Sequence, residues 1–180
     1  MDVSVSKSFA ALPAEARAKA REPHLLVLTK ANSRATVHRP KYLDYIGVKR
    51  FDEQGRIIGE CRFLGLFTHE ATTTSIGQIP ILQRKQAEIL DLAGFDAESY
   101  DGKDLIEILE GFPREELLQA PVEELYDIVL GVLRLRERRE TKLFLRRDPY
   151  GRYVSCLVYL PRDRYNTQVH LDIQQVLSTA

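Results

Sequence analysis

The side chains with the most chemistry to offer are arginines crowded late in the chain: Arg146, Arg147, Arg152, Arg162 and Arg164. A guanidinium is planar and always charged, and its fork of N–H donors grips a carboxylate or phosphate through two parallel hydrogen bonds. Two uses suit such a set. It pairs with acids across an interface, within the chain or between subunits, or it converges on a cavity and holds a small anion. These positions straddle a turn and a strand exit, where interface contacts are commoner than enclosed pockets. Asp148 and Asp163 stand among the same arginines and read as salt-bridge partners rather than acid–base catalysts.

Other chemistry is thin. The chain has neither a GxGxxG after a strand nor a GxxxxGK[ST], so no phosphate cradle can be argued. His24, His38, His69 and His170 are scattered without CxxC or HExxH spacing, which argues against a metal site. Cys156 lies in mid-strand beside Leu157 and Val158, where a thiol is inert core rather than a nucleophile. Cys61 sits in a similar apolar strand pattern, so both read as buried thiols of a cytosolic protein. No catalytic, cofactor-binding or metal-binding residue is assigned.

The arginines hang on the stretch from Thr141 to Asn166, which predicts two strands and a tight turn. Leu143 and Leu145 alternate with Lys142, Phe144 and Arg146, and Asp148-Pro149-Tyr150-Gly151 supplies the turn. Tyr153 to Leu160 is apolar on both faces except Ser155, the pattern of a central strand covered on both sides. Cys156, Val158, Phe63 and Leu64 are expected in the core. Upstream, residues 24–31 and 35–39 predict short strands around an Asn32-Ser33 turn. Tyr42 to Thr68 predicts a hairpin turning at Asp52-Glu53-Gln54-Gly55. Gly47, Gly59 and Gly65 inside it suggest curvature, bulges or a close approach.

Residues 69–78 read as a polar loop, and helices follow. Pro80 opens one that Gly94 stops. Asp101 or Asp104 caps the next, closed by Gly111 and Pro113, and Arg114 to Gln119 forms a turn or two. Pro121 starts the longest, with Val122, Leu125, Tyr126, Val129 and Leu133 inward. Asn166 or Thr167 caps a last helix carrying Val169, Ile173, Val176 and Leu177, whose packing partner is expected outside this chain. Residues 1–22 read as a loose or partly helical leader.

Acids dominate from Glu88 to Asp127 and bases from Arg134 to Arg164, although the total, 26 basic against 26 acidic, is neutral. The pattern fits either an acidic helical layer meeting a basic sheet edge or two solvated surfaces. Zero net charge points away from nucleic acid and from anionic membranes. No apolar run is long enough to span a bilayer, and no signal-peptide layout is present, so the cytoplasm is expected. With 44% apolar residues in 180, the chain can build one core.

The strings KYLDYIGVKRFDEQGRIIGECRFLGLFT and FLRRDPYGRYVSCLVYLPRDRYNT, with LVLTKANSRATVHRP, IPILQRKQAEIL and DGKDLIEILEGFPREEL, resemble the N-terminal half of the large-subunit bacterial NAD-specific glutamate dehydrogenases. The resemblance runs from Pro23 to the C-terminus. It implies ACT-like and PAS-like regulatory modules, with the nicotinamide fold and glutamate-binding lysines much further along the parent polypeptide. No motif of that catalytic core occurs here, so NAD belongs to the parent and no cofactor to this chain.

These readings predict an α+β fold, with one antiparallel sheet of about five strands, helices on one face and a PAS-like order. No dinucleotide-binding fold is expected. Residues 23–165 form the regulatory domain and 166–180 a terminal helix, unless the final hairpin opens an ACT-like unit and two modules meet near Thr141. The function implied is a non-catalytic regulatory and oligomerisation segment whose partners are the rest of the parent polypeptide and neighbouring subunits. The alternative is a stand-alone sensor for an amino acid or another carboxylate.

Overall fold

The computed structural model describes residues 14–37, 40–135 and 140–179. A helix, α1, runs over Ala14–Arg21, inside the expected leader, of which residues 1–13 lie outside the described residues. Strands β1 (Leu26–Arg34), β2 (Tyr42–Phe51) and β3 (Ile57–Gly65) form a three-stranded antiparallel sheet in that order. The Asp52–Gly55 turn falls where expected. Asp52 Oδ1 accepts from the Gln54 and Arg56 N–H groups at 3.0 and 2.8 Å and so closes the loop on itself.

Asn32-Ser33 is not a turn, because β1 runs straight through it to Arg34. Ladder bonding to β2 overrides the local turn preference, at the cost of a register shift between Lys30 and Arg34. The second short strand expected at 35–39 does not form over Ala35 to Val37, and residues 38 and 39 lie outside the described residues.

The polar stretch after β3 is more ordered than its composition suggests. Helix α2 covers His69–Thr73, capped by Thr68, whose hydroxyl accepts the Ala71 N–H. A 3-10 turn over Ile76–Gln78 then buries Ile76.

Helix α3 spans Pro80–Ala93 with proline at its first turn, and Gly94 ends it at φ 67. Helix α4 spans Tyr100–Glu110. Its cap is Ser99, one residue before the helix, rather than Asp101 or Asp104. The Ser99 hydroxyl accepts the Gly102 N–H at 3.0 Å. A Cβ on Gly102 would lie 2.0 Å from the Asp96 carbonyl oxygen, so this close approach requires glycine. Helices α5 (Arg114–Gln119) and α6 (Val122–Leu135) complete the layer. Ile76, Leu82, Ile89, Leu105, Leu109, Leu125 and Val129 meet in its core, each almost inaccessible to water.

Among the described residues, strands β4 (Lys142–Arg147) and β5 (Val154–Tyr159) pair only with each other, so the five described strands divide into sheets of three and two instead of one. The two-stranded sheet lays one face on the helices. Phe144, Leu157 and Tyr159 pack on the helical core, with Phe144 edge-on to Tyr159 at 5.8 Å. The opposite face carries Leu143, Leu145 and Val154, all exposed. β5 is therefore not a central strand; its inward apolar face is covered by helices rather than by further strands. Cys156 is half-buried and Cys61 exposed, against the expectation of two core thiols. Phe63 and Leu64, on opposite faces of β3, are also exposed, so neither sheet face is covered at these positions. Arg162–Arg164 form a 3-10 turn, and α7 follows over Thr167–Thr179, its Val169 N–H capped by Asn166 Oδ1 at 2.9 Å.

Candidate functional site

The turn between β4 and β5 is where the three-stranded sheet and the helical layer meet. Gly151 adopts φ 65, the left-handed value that lets the hairpin close. Asp148 sits at its start, 2% exposed, and both of its carboxylate oxygens are engaged. Oδ2 accepts from the Tyr150 and Arg152 N–H groups, both at 3.1 Å, and Oδ1 accepts from the Thr29 hydroxyl on β1 at 2.8 Å. A carboxylate so occupied organises a turn and carries no proton to a substrate.

Arg146 points inward from β4. Its Nε donates to Glu116 Oε2 of α5 at 2.8 Å, with the Arg146 side chain 3% and the Glu116 side chain 11% exposed. Its Nη2 donates to the Tyr153 hydroxyl at 3.3 Å, and that hydroxyl donates in turn to Gln119. Burial disfavours the Arg146 charge, but the hydrogen bonds to Glu116 and Tyr153 outweigh it and raise the guanidinium above its ordinary value. Lys30 follows the same logic in the middle of β1. Burial lowers it, while Asp44 at 2.6 Å and Glu115 at 2.7 Å more than restore the charge.

The five candidate arginines do not converge. Arg146 is the buried pair of Glu116. Arg152 donates to the Lys30 carbonyl and lies over the rings of Tyr45 and Tyr150, at 5.7 and 5.8 Å. Burial, with Asp148 nearby, pushes the Tyr150 hydroxyl up to about 12. Arg147, Arg162 and Arg164 are exposed and have no acid partner among the described residues. Between the long acidic and basic runs, Glu116 and Arg146 bond across the layers; Glu115 pairs instead with Lys30, which precedes both runs.

Sequence reasoning missed Thr29, Lys30 and Asp44, which belong to the same junction from the far end of the chain. The signal available was polar residues at inward positions of β1 and β2, where apolar ones are the rule. It also missed Lys85 of α3. The Lys85 ammonium caps the end of α5 by donating to the carbonyls of Leu117, Leu118 and Ala120 at 2.7, 3.1 and 2.7 Å. Among the described residues no three His, Cys, Asp or Glu side chains gather as metal ligands would.

Buried charged and polar pairs thus join sheet and helical layer within an α+β unit. Two family models match this chain: residues 79–138 match "glutamate dehydrogenase, helical motif 1" and residues 142–180 match "glutamate dehydrogenase, ACT2 domain". Curated relatives include the NAD-specific glutamate dehydrogenases of Pseudomonas aeruginosa, 47% identical over 157 residues, and Halomonas elongata, 45% identical over 155. That of Mycobacterium tuberculosis is 35% identical over 153 residues. These matches cover 87%, 86% and 85% of this chain. The chain belongs to the NAD-specific glutamate dehydrogenase family. It spans about a tenth of the length of these relatives, 10%, 10% and 9% in turn.

Proposed function

We propose that this chain is a non-catalytic regulatory and assembly segment of an NAD-dependent glutamate dehydrogenase. The parent reaction is the oxidative deamination of L-glutamate to 2-oxoglutarate and ammonia, with NAD bound elsewhere in the parent polypeptide. The observation that carries the reading is the joint itself. Arg146 and Asp148, both within the ACT2 match, are held by Glu116 of the helical-motif match and Thr29 of the N-terminal sheet. Every buried acid in it is engaged by structural hydrogen bonds, which leaves none poised for proton transfer.

The two matched stretches end and begin at residues 138 and 142, which supports a module junction near Thr141. On this reading the last hairpin and α7 open an ACT-like unit instead of completing a PAS-like one. Arg147, Arg162 and Arg164, exposed and without acid partners among the described residues, are free to meet acids on the rest of the parent polypeptide or on a neighbouring subunit. No described helix is long and apolar enough to cross a membrane.

The test is an assay of NAD reduction with glutamate at high concentration of the chain, beside sedimentation at rising salt. No turnover is expected, with self-association that weakens as salt screens the arginines. Glutamate-dependent turnover that tracks the protein through purification would overturn the reading.

A further inference from the structure

Beside the joint lies a groove of about 790 Å³, lined by residues from the second half of β1 and the approach to β2, from α5 and from β5 with its turn. That volume suits a small molecule rather than a single ion. Six of its lining side chains are charged: Lys30, Arg34, Lys41, Arg152, Glu115 and Glu116. Three of them are already spent. Lys30 is held between Asp44 and Glu115, and Glu116 belongs to Arg146. Arg34, Lys41 and Arg152 remain. Arg34 stacks at 4.7 Å over the Tyr42 ring and Arg152 over Tyr45 and Tyr150, and none of the three has an acid partner among the described residues. The Nε of Arg152 is also buried without an acceptor. An orphan of that kind calls for a partner, and a cationic groove around it calls for an anionic one.

From this juxtaposition we infer that the groove binds a small dicarboxylate, held by Arg152 from the β4–β5 turn, by Arg34 at the end of β1 and by Lys41 just before β2. Cations supplied by two separate elements fit two acidic groups on one short molecule. Inorganic phosphate offers one anionic centre, whereas the cations stand on two separate elements. The walls come from within residues 30–34, 40–42, 115–119 and 152–155, so a bound dianion bridges the N-terminal sheet, the helical motif and the ACT2 stretch. Occupancy would stiffen the joint. The site stands apart from the assembly reading, which an activity assay tests; this one is tested by binding.

Titrate the whole chain with succinate by calorimetry near neutral pH at constant ionic strength, with inorganic phosphate and chloride as comparators. One saturable site is expected, with a raised melting temperature. Lys41→Gln and Arg34→Gln alter exposed side chains, so both variants should fold with the wild-type melting temperature in the absence of ligand. Each should weaken succinate by about tenfold or more. Absence of saturable heat overturns the proposal. So does phosphate binding as tightly as succinate, or succinate affinity unchanged in both variants.

Discussion

Thr29 and Asp148, 119 residues apart, meet in a buried hydrogen bond in which the threonine hydroxyl donates to Asp148 Oδ1 at 2.8 Å. One oxygen of Asp148 thus ties the three-stranded sheet to the turn that the other oxygen builds. Removing the carboxylate strands a buried hydroxyl and two N–H groups at once. Asp148→Ala is expected to cost about 3 kcal/mol and Thr29→Val about 1, read from urea midpoints at unchanged slope. Equal costs for the two would show that the turn does not depend on Asp148.

The Arg146–Glu116 pair should behave as a buried ion pair does. Glu116→Leu alone leaves a guanidinium buried without its counter-charge, for a loss of about 3–5 kcal/mol. Arg146→Met with Glu116→Leu removes both charges and should recover most of that. A double-mutant cycle on melting temperature measures the coupling, and simple additivity would refute it.

Lys85 gives the fold a pH dependence. Burial, with Arg146 and Arg84 nearby, brings its amine down from 10.5 to about 8, and Glu88 opposes the change. The folded state therefore holds this proton less tightly than the unfolded state. The contribution from this group is complete above the unfolded value of 10.5 and is lost as pH falls through about 8. Relative to Lys85→Met, the wild-type chain should gain about 1 kcal/mol per pH unit at most between these values. Tyrosine ionisation cancels in the comparison. A stability difference that stays flat from neutral pH to 10 would contradict the lowered amine.

Neighbouring positions on β4 should differ sharply. Phe144 packs on the helical core, and its ring lies so close to Gly131 of α6 that a Cβ there would come within 2.7 Å. Leu145 is 62% exposed on the opposite face. Phe144→Asp is expected to unfold the chain, because burying an unpaired charge costs several kcal/mol, while Leu145→Asp should melt close to wild type. Circular dichroism of the two variants decides it. A reversed order would mean the sheet faces the other way.

Much of this molecule is written in short stretches. Pro80 and Gly94, Gly111, Asn166, and the Asp52–Gly55 and Asp148–Gly151 turns mark element ends through φ preferences and hydrogen bonds that reach only a few residues. Such features can be read without knowing what lies opposite. The division of five strands into sheets of three and two could not be read that way. An apolar run such as Tyr153 to Leu160 is the same string whether strands or helices cover it, and packing of distant segments makes that choice. The arginines were legible as a group only because they are close in the chain. Folding sends Arg146 into the helical layer, leaves Arg147, Arg162 and Arg164 in solvent, and sets Arg152 beside Arg34 and Lys41, which lie more than a hundred positions away. Side-chain direction alternates along a strand, so neighbours in sequence part company. Which residues meet instead depends on contacts that exist only once the chain has closed on itself.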